Sequence, residues 1–361
     1  MCHAEYRGFF HIGMVTRNQR NAIIQHGTMT MVRRELLQRI GWSEWCITED
    51  AELGLRILDE GYATTYIARS YGRGLMPDTF LDFKKQRSRW AFGAMQILRR
   101  HFDALIHGRD TGLTSGQRYH FVAGWLPWLA DGFNLLVNLA ALVWSLVMVL
   151  FPRHIEPPLM LFSVLPLSLF LFKLVKLLHL YRARVGATFT QTIAAAIAGL
   201  GLSHTVGSAM LSGFVNKDRP FFRTPKRTTR HAWLQSLAAA REEAVLMCGL
   251  WVAAFAVSSI PQMDGDQPGL VGSPDLTVWV TVLLVQSIPY AAAVIVSLVS
   301  SLQLRGDWIG EARDPVFDET AAAFATDLDS VATGTSTLPV GSLARNNGGA
   351  LPATAKLDSA K

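Results

Sequence analysis

The chain has 361 residues, of which 50% are hydrophobic and only 17% are charged, and its mean hydropathy is +0.23. Because ordinary soluble proteins carry about 25% charged residues, this composition argues against a disordered chain and against a protein that is soluble throughout. The net charge of +6 fits the positive-inside bias of a membrane protein, and no nucleic-acid partner is expected.

Charge divides the chain into three parts. Residues 1–120 form a charged head, residues 121–304 hold long uncharged runs, and residues 305–361 form a polar tail that is predicted to be disordered and cytoplasmic.

The first residues lack a basic segment followed by an apolar one, so no signal peptide is predicted. The three cysteines are too few and too scattered for a disulfide framework or a zinc site, and no metal site is predicted.

The head is predicted to be mixed α/β. Helical spacing over residues 32–40 predicts a first helix that stops at Gly41. Residues 48–58 predict a second helix, and the alternation of side chains over residues 62–68 predicts a strand. A long third helix is predicted from Pro77 to about residue 102, because proline is favoured in the first helical turn.

The start of the second helix carries the first candidate site, Thr48-Glu49-Asp50. Thr48 is the expected cap, and the helix dipole stabilises carboxylates in the first turn. An ionised Asp50 in that position is able to accept a proton as a general base. The alternative is structural, since acidic residues are common in the first turn of any helix.

The third helix carries the second candidate site, Gln86-Arg87-Ser88-Arg89-Trp90. Gln86, Arg89 and Trp90 fall on one helix face, and Gly93 leaves room for a close approach one turn later. An aromatic plane beside a guanidinium suits a sugar ring next to a diphosphate. The alternative is a basic amphipathic helix that lies on anionic lipid.

Hydropathy predicts membrane spans, because about 20 apolar residues cross a bilayer. Four runs qualify, near residues 133–151, 159–180, 244–260 and 276–304. Residues 188–215 are predicted to lie in the interface or to re-enter the membrane. If they crossed, the strongly basic loop 216–230 would be external, against the positive-inside rule. Both termini are then predicted to be cytoplasmic.

Together, the two candidate sites resemble the C-terminal catalytic half of the processive, membrane-bound family 2 glycosyltransferases, such as cellulose synthase and hyaluronan synthase. The run Phe221-Phe222-Arg223-Thr224-Pro225-Lys226 resembles the gating loop Phe-x-Val-Thr-x-Lys of cellulose synthase, with Arg223 in place of Val. His26-Gly27-Thr28, followed by an arginine-rich helix, resembles the acceptor-side stretch of the family.

The resemblance implies an α-helical multi-pass membrane protein of about four spans. The C-terminal half of a GT-A-type α/β glycosyltransferase domain would precede those spans. The implied reaction is inverting transfer of a sugar from a nucleotide sugar, which is expected to be a UDP-sugar, to a polysaccharide. The resemblance is compatible with a β-glucan product and also with a lipid-linked acceptor. The implied location is the cytoplasmic face of the inner membrane, in contact with membrane lipid.

The resemblance also implies a role for each site residue. Asp50 would be the general base, next to Thr48 and Glu49. The acceptor and the diphosphate would be held by Gln86, Arg87, Arg89 and Trp90. The implied gating residues are Phe221, Thr224 and Lys226, and the acceptor side would include Gly27 and Thr28.

One part of the family pattern is missing from the head. The family binds its donor through an N-terminal half with an Asp-x-Asp metal motif, and residues 1–120 contain no Asp-x-Asp. The chain is therefore expected to be the C-terminal part of such an enzyme, inactive alone, with the Mg or Mn ligands of the complete enzyme elsewhere. Two alternatives remain: a transporter-like membrane protein and a non-catalytic remnant that binds a partner or lipid.

Overall fold

The computed structural model describes residues 6, 8–67, 77, 79–158, 167–168, 170–172, 174–175, 178–185, 188–216, 238–260 and 274–301. Three sequence predictions lie wholly or largely outside these residues. They are the gating-like residues Phe221, Thr224 and Lys226, the tail 305–361, and most of the predicted span 159–180.

The head is built from helices. A π-helical turn, Phe9–Met14, runs directly into the short helix α1 (Val15–Asn18). Helices α2 (Arg34–Ile40), α3 (Glu49–Asp59) and α4 (Phe80–Arg100) follow, and a second π-helical turn, Asp103–His107, comes after α4. The three helices predicted in the head are therefore present. Gly41 ends α2 with a φ of +69°, a conformation in which glycine lacks the steric penalty of other residues.

The predicted strand over residues 62–68 is wrong for the part that is described, since residues 62–67 form no strand. The backbone N–H groups of Thr64 and Tyr66 donate instead to the side-chain oxygens of Asn21 and Asn18, both at 2.7 Å. Side-chain amides thus take the hydrogen bonds that a neighbouring strand would accept. No strand occurs among the described residues, so the α/β character expected of the head is absent from them.

Two predicted helix starts also need correction. Thr48 occupies the N-cap position of α3, but its side chain makes no capping hydrogen bond and lies 3.4 Å from Cys46 Sγ instead. The long helix begins at Phe80 and not at Pro77, because the Thr79 side chain accepts the hydrogen bond from Asp82 N.

Buried Glu52 fixes the helices of the head to each other. Its carboxylate accepts hydrogen bonds from Arg56 Nε at 2.8 and 2.9 Å and lies 3.0 Å from His101 Nε2, just beyond α4. Arg56 also donates to the carbonyls of Ile40 and Gly41 at the end of α2. Although burial alone would raise the pKa of Glu52, the hydrogen bond with His101 and the charge of Arg56 lower it.

In the described part of the chain, five mostly apolar helices of 13 to 36 residues follow the head. Their bounds are α5 (Ser115–Leu150), α6 (Phe189–Gly201), α7 (Ser203–Val215), α8 (Arg241–Ser258) and α9 (Pro274–Ser301). Threonine and glutamine form a capping box at the start of both α5 and α6. A third π-helical turn, Tyr181–Val185, precedes α6.

Three stretches in the described part of the chain are long and apolar enough to cross a membrane: Ser115–Leu150, Phe189–Val215 and Pro274–Ser300. The second comprises α6 and α7, which we predicted to be interfacial or re-entrant. Helix α8, predicted as a span, begins with Arg241, Glu242 and Glu243 and does not meet the same criterion. The four-span topology stays a prediction.

One hydrophobic core joins the head to the apolar helices. Phe92 and Met95 of α4 are fully buried in it, together with Phe121 of α5, Met210 of α7 and Ala293 of α9. Burial of this kind contributes about 25 cal/mol for each Å² of apolar surface that is removed from water. Helix α4, which carries the second candidate site, is therefore held as much by the apolar helices as by the head.

Candidate functional site

Close packing of Thr48 on Gly93 brings the two sequence motifs together. A Cβ atom at Gly93 would overlap Thr48 Oγ1 and lie 2.6 Å from Thr48 Cγ2, so only glycine allows this approach. Gly93 lies one turn beyond Trp90 on α4. The start of α3, with Glu49 and Asp50, therefore packs against the helix that holds the Gln86–Trp90 residues.

Gln96 strengthens the same junction. Its Oε1 accepts from Ile47 N at 3.0 Å, and its Nε2 donates to Trp45 O at 3.1 Å. Gln96 is 7% exposed, and it satisfies the backbone of the loop that leads into α3. Gln96 was not among the predicted site residues, although a polar side chain in the apolar run 91–98 is a signal for it.

The Asp50 carboxylate faces the turn at Gly27. Its Oδ1 accepts from Ala51 N at 2.8 Å, and Oδ2 is 3.3 Å from where a Cβ at Gly27 would stand. Gly54, one turn after Asp50, lies even closer to Gln25, since a Cβ at Gly54 would be 2.7 Å from Gln25 Cβ. Through these two contacts, residues 25–27 pack along α3. The predicted acceptor-side turn therefore lies beside the predicted base.

Gly27 and Thr28 form an exposed turn, and Glu49 and Asp50 beside it are half-buried. The Thr30 hydroxyl closes the turn by donating to His26 O at 2.6 Å. The Gly27–Thr28 turn is thus the solvent-exposed side of the Asp50 neighbourhood.

His26 belongs to the predicted acceptor-side stretch, but no role of its own was predicted for it. Its ring packs against Phe9 and Phe10, with centroid distances of 5.0 and 5.5 Å. Burial lowers the pKa of His26, and the charge of Asp50 opposes that effect. The imidazole therefore favours its neutral form.

The second motif forms an aromatic cluster with Tyr6. The Tyr6 hydroxyl donates to Gln86 Oε1 at 2.6 Å, and its ring meets Trp90 edge-on with centroids 5.8 Å apart. Gln86 and Trp90 therefore share one face, as their spacing predicted. Tyr6 is distant in sequence, and no pattern indicated it.

Arg87 lies inside this cluster and not on its rim. The guanidinium carbon is 4.9 Å from the Tyr6 ring centroid, 4.7 Å from that of Trp90 and 5.2 Å from that of Phe83. Arg87 is only 6% exposed, whereas Arg89 is half-buried. The cation–π contacts hold the Trp90 ring in place, and Arg89 is the arginine of the motif with more access to solvent.

No group of three His, Cys, Asp or Glu side chains able to hold a metal ion occurs in the parts of the chain that are described. The carboxylates near Asp50 do not provide a ligand set for Mg or Mn. The described residues therefore do not fit the divalent cation implied for the complete enzyme.

If Trp90 stacks on an acceptor sugar, as the resemblance implies, replacing it with alanine in the complete enzyme is expected to raise the acceptor KM about fivefold, because such stacking contributes on the order of 1 kcal/mol. Initial rates at varied acceptor concentration measure this. Trp42, which is 53% exposed, offers the control variant Trp42→Ala, which should leave KM unchanged. Failure of the Trp90→Ala protein to accumulate in membranes would show that Trp90 is needed for packing, and an unchanged acceptor KM in an accumulated variant would contradict the stacking role.

Residues 4–182 match the family model described as glycosyl transferase family group 2. Among curated proteins, the chain is 35% identical over 98 residues to the cellulose synthase catalytic subunit of Komagataeibacter sucrofermentans. It is 34% identical over 102 residues to that of Xanthomonas axonopodis pv. citri, and 37% identical over 99 residues to that of Pseudomonas fluorescens.

These alignments cover 27–28% of the chain and only 12–13% of each relative. The predicted resemblance to family 2 glycosyltransferases of the cellulose synthase type is confirmed by both comparisons. The roles of individual residues stay predictions.

Proposed function

We propose, from the premise that the chain carries a family 2 glycosyltransferase sequence of the cellulose synthase type, that it supplies the catalytic base and the acceptor side of a polysaccharide-forming enzyme. The reaction is inverting transfer of a sugar from a UDP-sugar to the growing end of a polysaccharide, with a β-glucan as the favoured product. The observation that supports this most is the Thr48–Gly93 contact, which brings Asp50 to the Gln86–Trp90 helix.

Asp50 acts through Oδ2 in this proposal, because Oδ1 already accepts from Ala51 N. Oδ2 takes the proton from the acceptor hydroxyl as that oxygen attacks the anomeric carbon. The bond from this carbon to the diphosphate breaks on the opposite face, so the configuration inverts and one carboxylate is sufficient. The start of α3 favours the negative charge that Asp50 needs before it accepts the proton.

The acceptor and leaving group are assigned to α4. Trp90, held by Tyr6 and Arg87, offers its remaining face to the acceptor sugar, and Gln86 lies beside it. Arg89 is the residue that meets the diphosphate, since a guanidinium binds phosphate oxygens in a bidentate manner. Positioning donor and acceptor together accounts for much of the rate enhancement in such a transfer.

The nucleotide-binding half and the divalent cation belong, in this proposal, to protein outside residues 1–361. The absence of Asp-x-Asp from residues 1–120 supports it, as does the small share of each relative that the chain covers. That half is either part of the same polypeptide or a separate chain.

The chain by itself is therefore expected to give no product from UDP-glucose, with or without Mg or Mn. Incorporation of radiolabelled glucose into polymer by purified chain in lipid vesicles measures this. The same chain joined to a nucleotide-binding half is the positive control. Product formed by residues 1–361 alone would disprove the assignment of donor binding to another part.

The proposed location is the inner membrane, with the head, the loop 216–230 and both termini in the cytoplasm. A cysteine at position 269 should then react with an impermeant maleimide in intact cells, whereas one at position 228 should not, because six basic residues in 216–230 oppose translocation. Labelling at position 228 would mean that Phe189–Val215 crosses the membrane and that the gating-like loop is external.

A further inference from the structure

A buried ion pair ties the start of α4 to α8. Lys84 Nζ lies 2.6 Å from Glu243 Oε1 and 2.9 Å from Oε2, and it also donates to Ala239 O at 3.0 Å. The Glu243 side chain is fully buried, and the Lys84 side chain is 12% exposed. The two residues are distant in sequence, so this pair joins the head directly to the end of an apolar helix.

His204 adds a third helix to the pair. Its Nδ1 lies 3.1 Å from Glu243 Oε1, in the first turn of α7. Burial alone would raise the pKa of Glu243, but the hydrogen bonds from His204 and Lys84 lower it to about 2. Glu243 lies just before the predicted span 244–260, and its carboxylate is charged at neutral pH.

The other end of α4 is fixed to the end of α7. Arg99 Nη1 donates to the carbonyls of Gly213 and Asn216 at 2.9 and 3.0 Å, which are among the last carbonyls of that helix. Between the two ends, Gly213 lets α7 approach α4, because a Cβ there would lie 2.6 Å from Met95 Cβ. The two helices therefore run side by side from Lys84 to Arg99, a length of about 22 Å.

We propose that Lys84 is a positioning residue for glycosyl transfer: through Glu243 and His204 it fixes the rotation and the axial position of the Gln86–Trp90 turn against α7 and α8. Apolar side chains alone allow neighbouring packings of similar free energy. A shift of α4 by one turn would leave a buried carboxylate without its cation, which is strongly unfavourable. The link to transfer rests on the function proposed above.

The ion pair acts close to the site that it would position. Lys84 precedes Gln86 by two residues and lies in the same turn of α4. Lys85, its neighbour, pairs with Asp82 at 3.5 Å with its side chain 49% exposed. Exposed pairs of that kind contribute little, so Lys85 offers a matched control for the loss of a lysine from the same helix turn.

The test measures the position of α4 directly by pulsed electron paramagnetic resonance. Spin labels are placed at Leu81 and Val215, which are 42% and 80% exposed, in the 361-residue chain without its native cysteines, held in lipid vesicles. The double variant Lys84→Met/Glu243→Met removes both charges at similar side-chain size. It is expected to reach the membrane at the wild-type level and to at least double the width of the distance distribution, whereas Lys85→Met leaves the distribution unchanged.

An unchanged distribution in the double variant would overturn the positioning role. If that variant does not accumulate, Glu243→Gln serves instead, because it keeps the shape and removes the charge; an unchanged width there also overturns the role. In the complete enzyme, a broadened distribution is expected together with a KM for acceptor raised at least fivefold and a smaller change in kcat. A broadened distribution with unchanged kinetics would contradict the proposed function of α4 while leaving the positional role of Lys84 intact.

Discussion

Asp50→Asn is expected to lower the turnover of the complete enzyme by about 10²–10⁴-fold, because the acceptor hydroxyl loses the group that takes its proton. Asparagine keeps the size of the side chain, and its oxygen is still able to accept from Ala51 N. The amount of protein in membranes should therefore be unchanged. Radiolabel incorporated from the UDP-sugar at saturating substrate, divided by the amount of membrane protein, measures the effect.

A second carboxylate provides the control for this experiment. Asp110 is exposed and has a φ of +48°, a conformation that asparagine also tolerates. Asp110→Asn should keep wild-type turnover. If Asp50→Asn retains more than about a tenth of the wild-type rate, another group is the base, since general-base catalysis contributes at least about a hundredfold.

Gly93→Ala is expected to disconnect the two halves of the candidate site and to destabilise the protein by about 1–3 kcal/mol, as overpacking does. In the interior of a helix, alanine is intrinsically better than glycine by about 1 kcal/mol. A loss of stability must therefore come from the overlap with Thr48. Thermal unfolding in detergent and turnover of the complete enzyme should both decrease, with turnover reduced at least tenfold if Asp50 is displaced.

Gly199 offers the matched control for this substitution. It also lies within a helix, but a Cβ there would meet nothing within 4 Å, so Gly199→Ala should be neutral or stabilising. Adding Thr48→Gly to Gly93→Ala makes room for the new Cβ and should recover much of the unfolding temperature. Normal stability and turnover in Gly93→Ala alone would show that the junction of α3 and α4 tolerates an extra methyl group.

The local parts of the head were predictable from sequence. The acidic residues in the first turn of α3, and the spacing of Gln86, Arg89 and Trp90 on α4, are features of consecutive turns. The sequence indicated a close approach at Gly93. It did not indicate which group approaches, because Thr48 reaches Gly93 only in the folded chain. The burial of Arg87 was not predictable either. It depends on contact with Tyr6, and most of the head lies between these two residues in the sequence.

The strand prediction at residues 62–68 failed for a related reason. Alternating side chains indicate an extended backbone, but a strand requires a partner, and here the amides of Asn18 and Asn21 take that place. If the proposed nucleotide-binding half supplies a strand partner for residues 62–68, that partner lies outside residues 1–361.

The stretch Phe189–Val215, which we predicted to be interfacial or re-entrant, shows that hydropathy does not distinguish a surface that faces lipid from one that faces protein. Glycines here sit against other helices: a Cβ at Gly207 would lie 2.6 Å from Asp131 O, and one at Gly201 would lie 3.2 Å from Ala293 Cα. Small residues permit such contacts between apolar helices. Of the 18 consecutive residues of this stretch that meet the hydropathy criterion for a span, 67% are buried inside the protein.

The shared core has a consequence for how the protein is made. A ribosome releases the head first, and domains generally fold in that order. Here, however, Phe92 and Met95 pack in one cluster with Met210, Ala293 and Val296, which are synthesised much later. The helix that carries Trp90 therefore cannot complete its packing until α9 has emerged and been inserted. Packing around the proposed acceptor site is thus completed late in biogenesis, and a nascent head that lacks the apolar helices also lacks this packing.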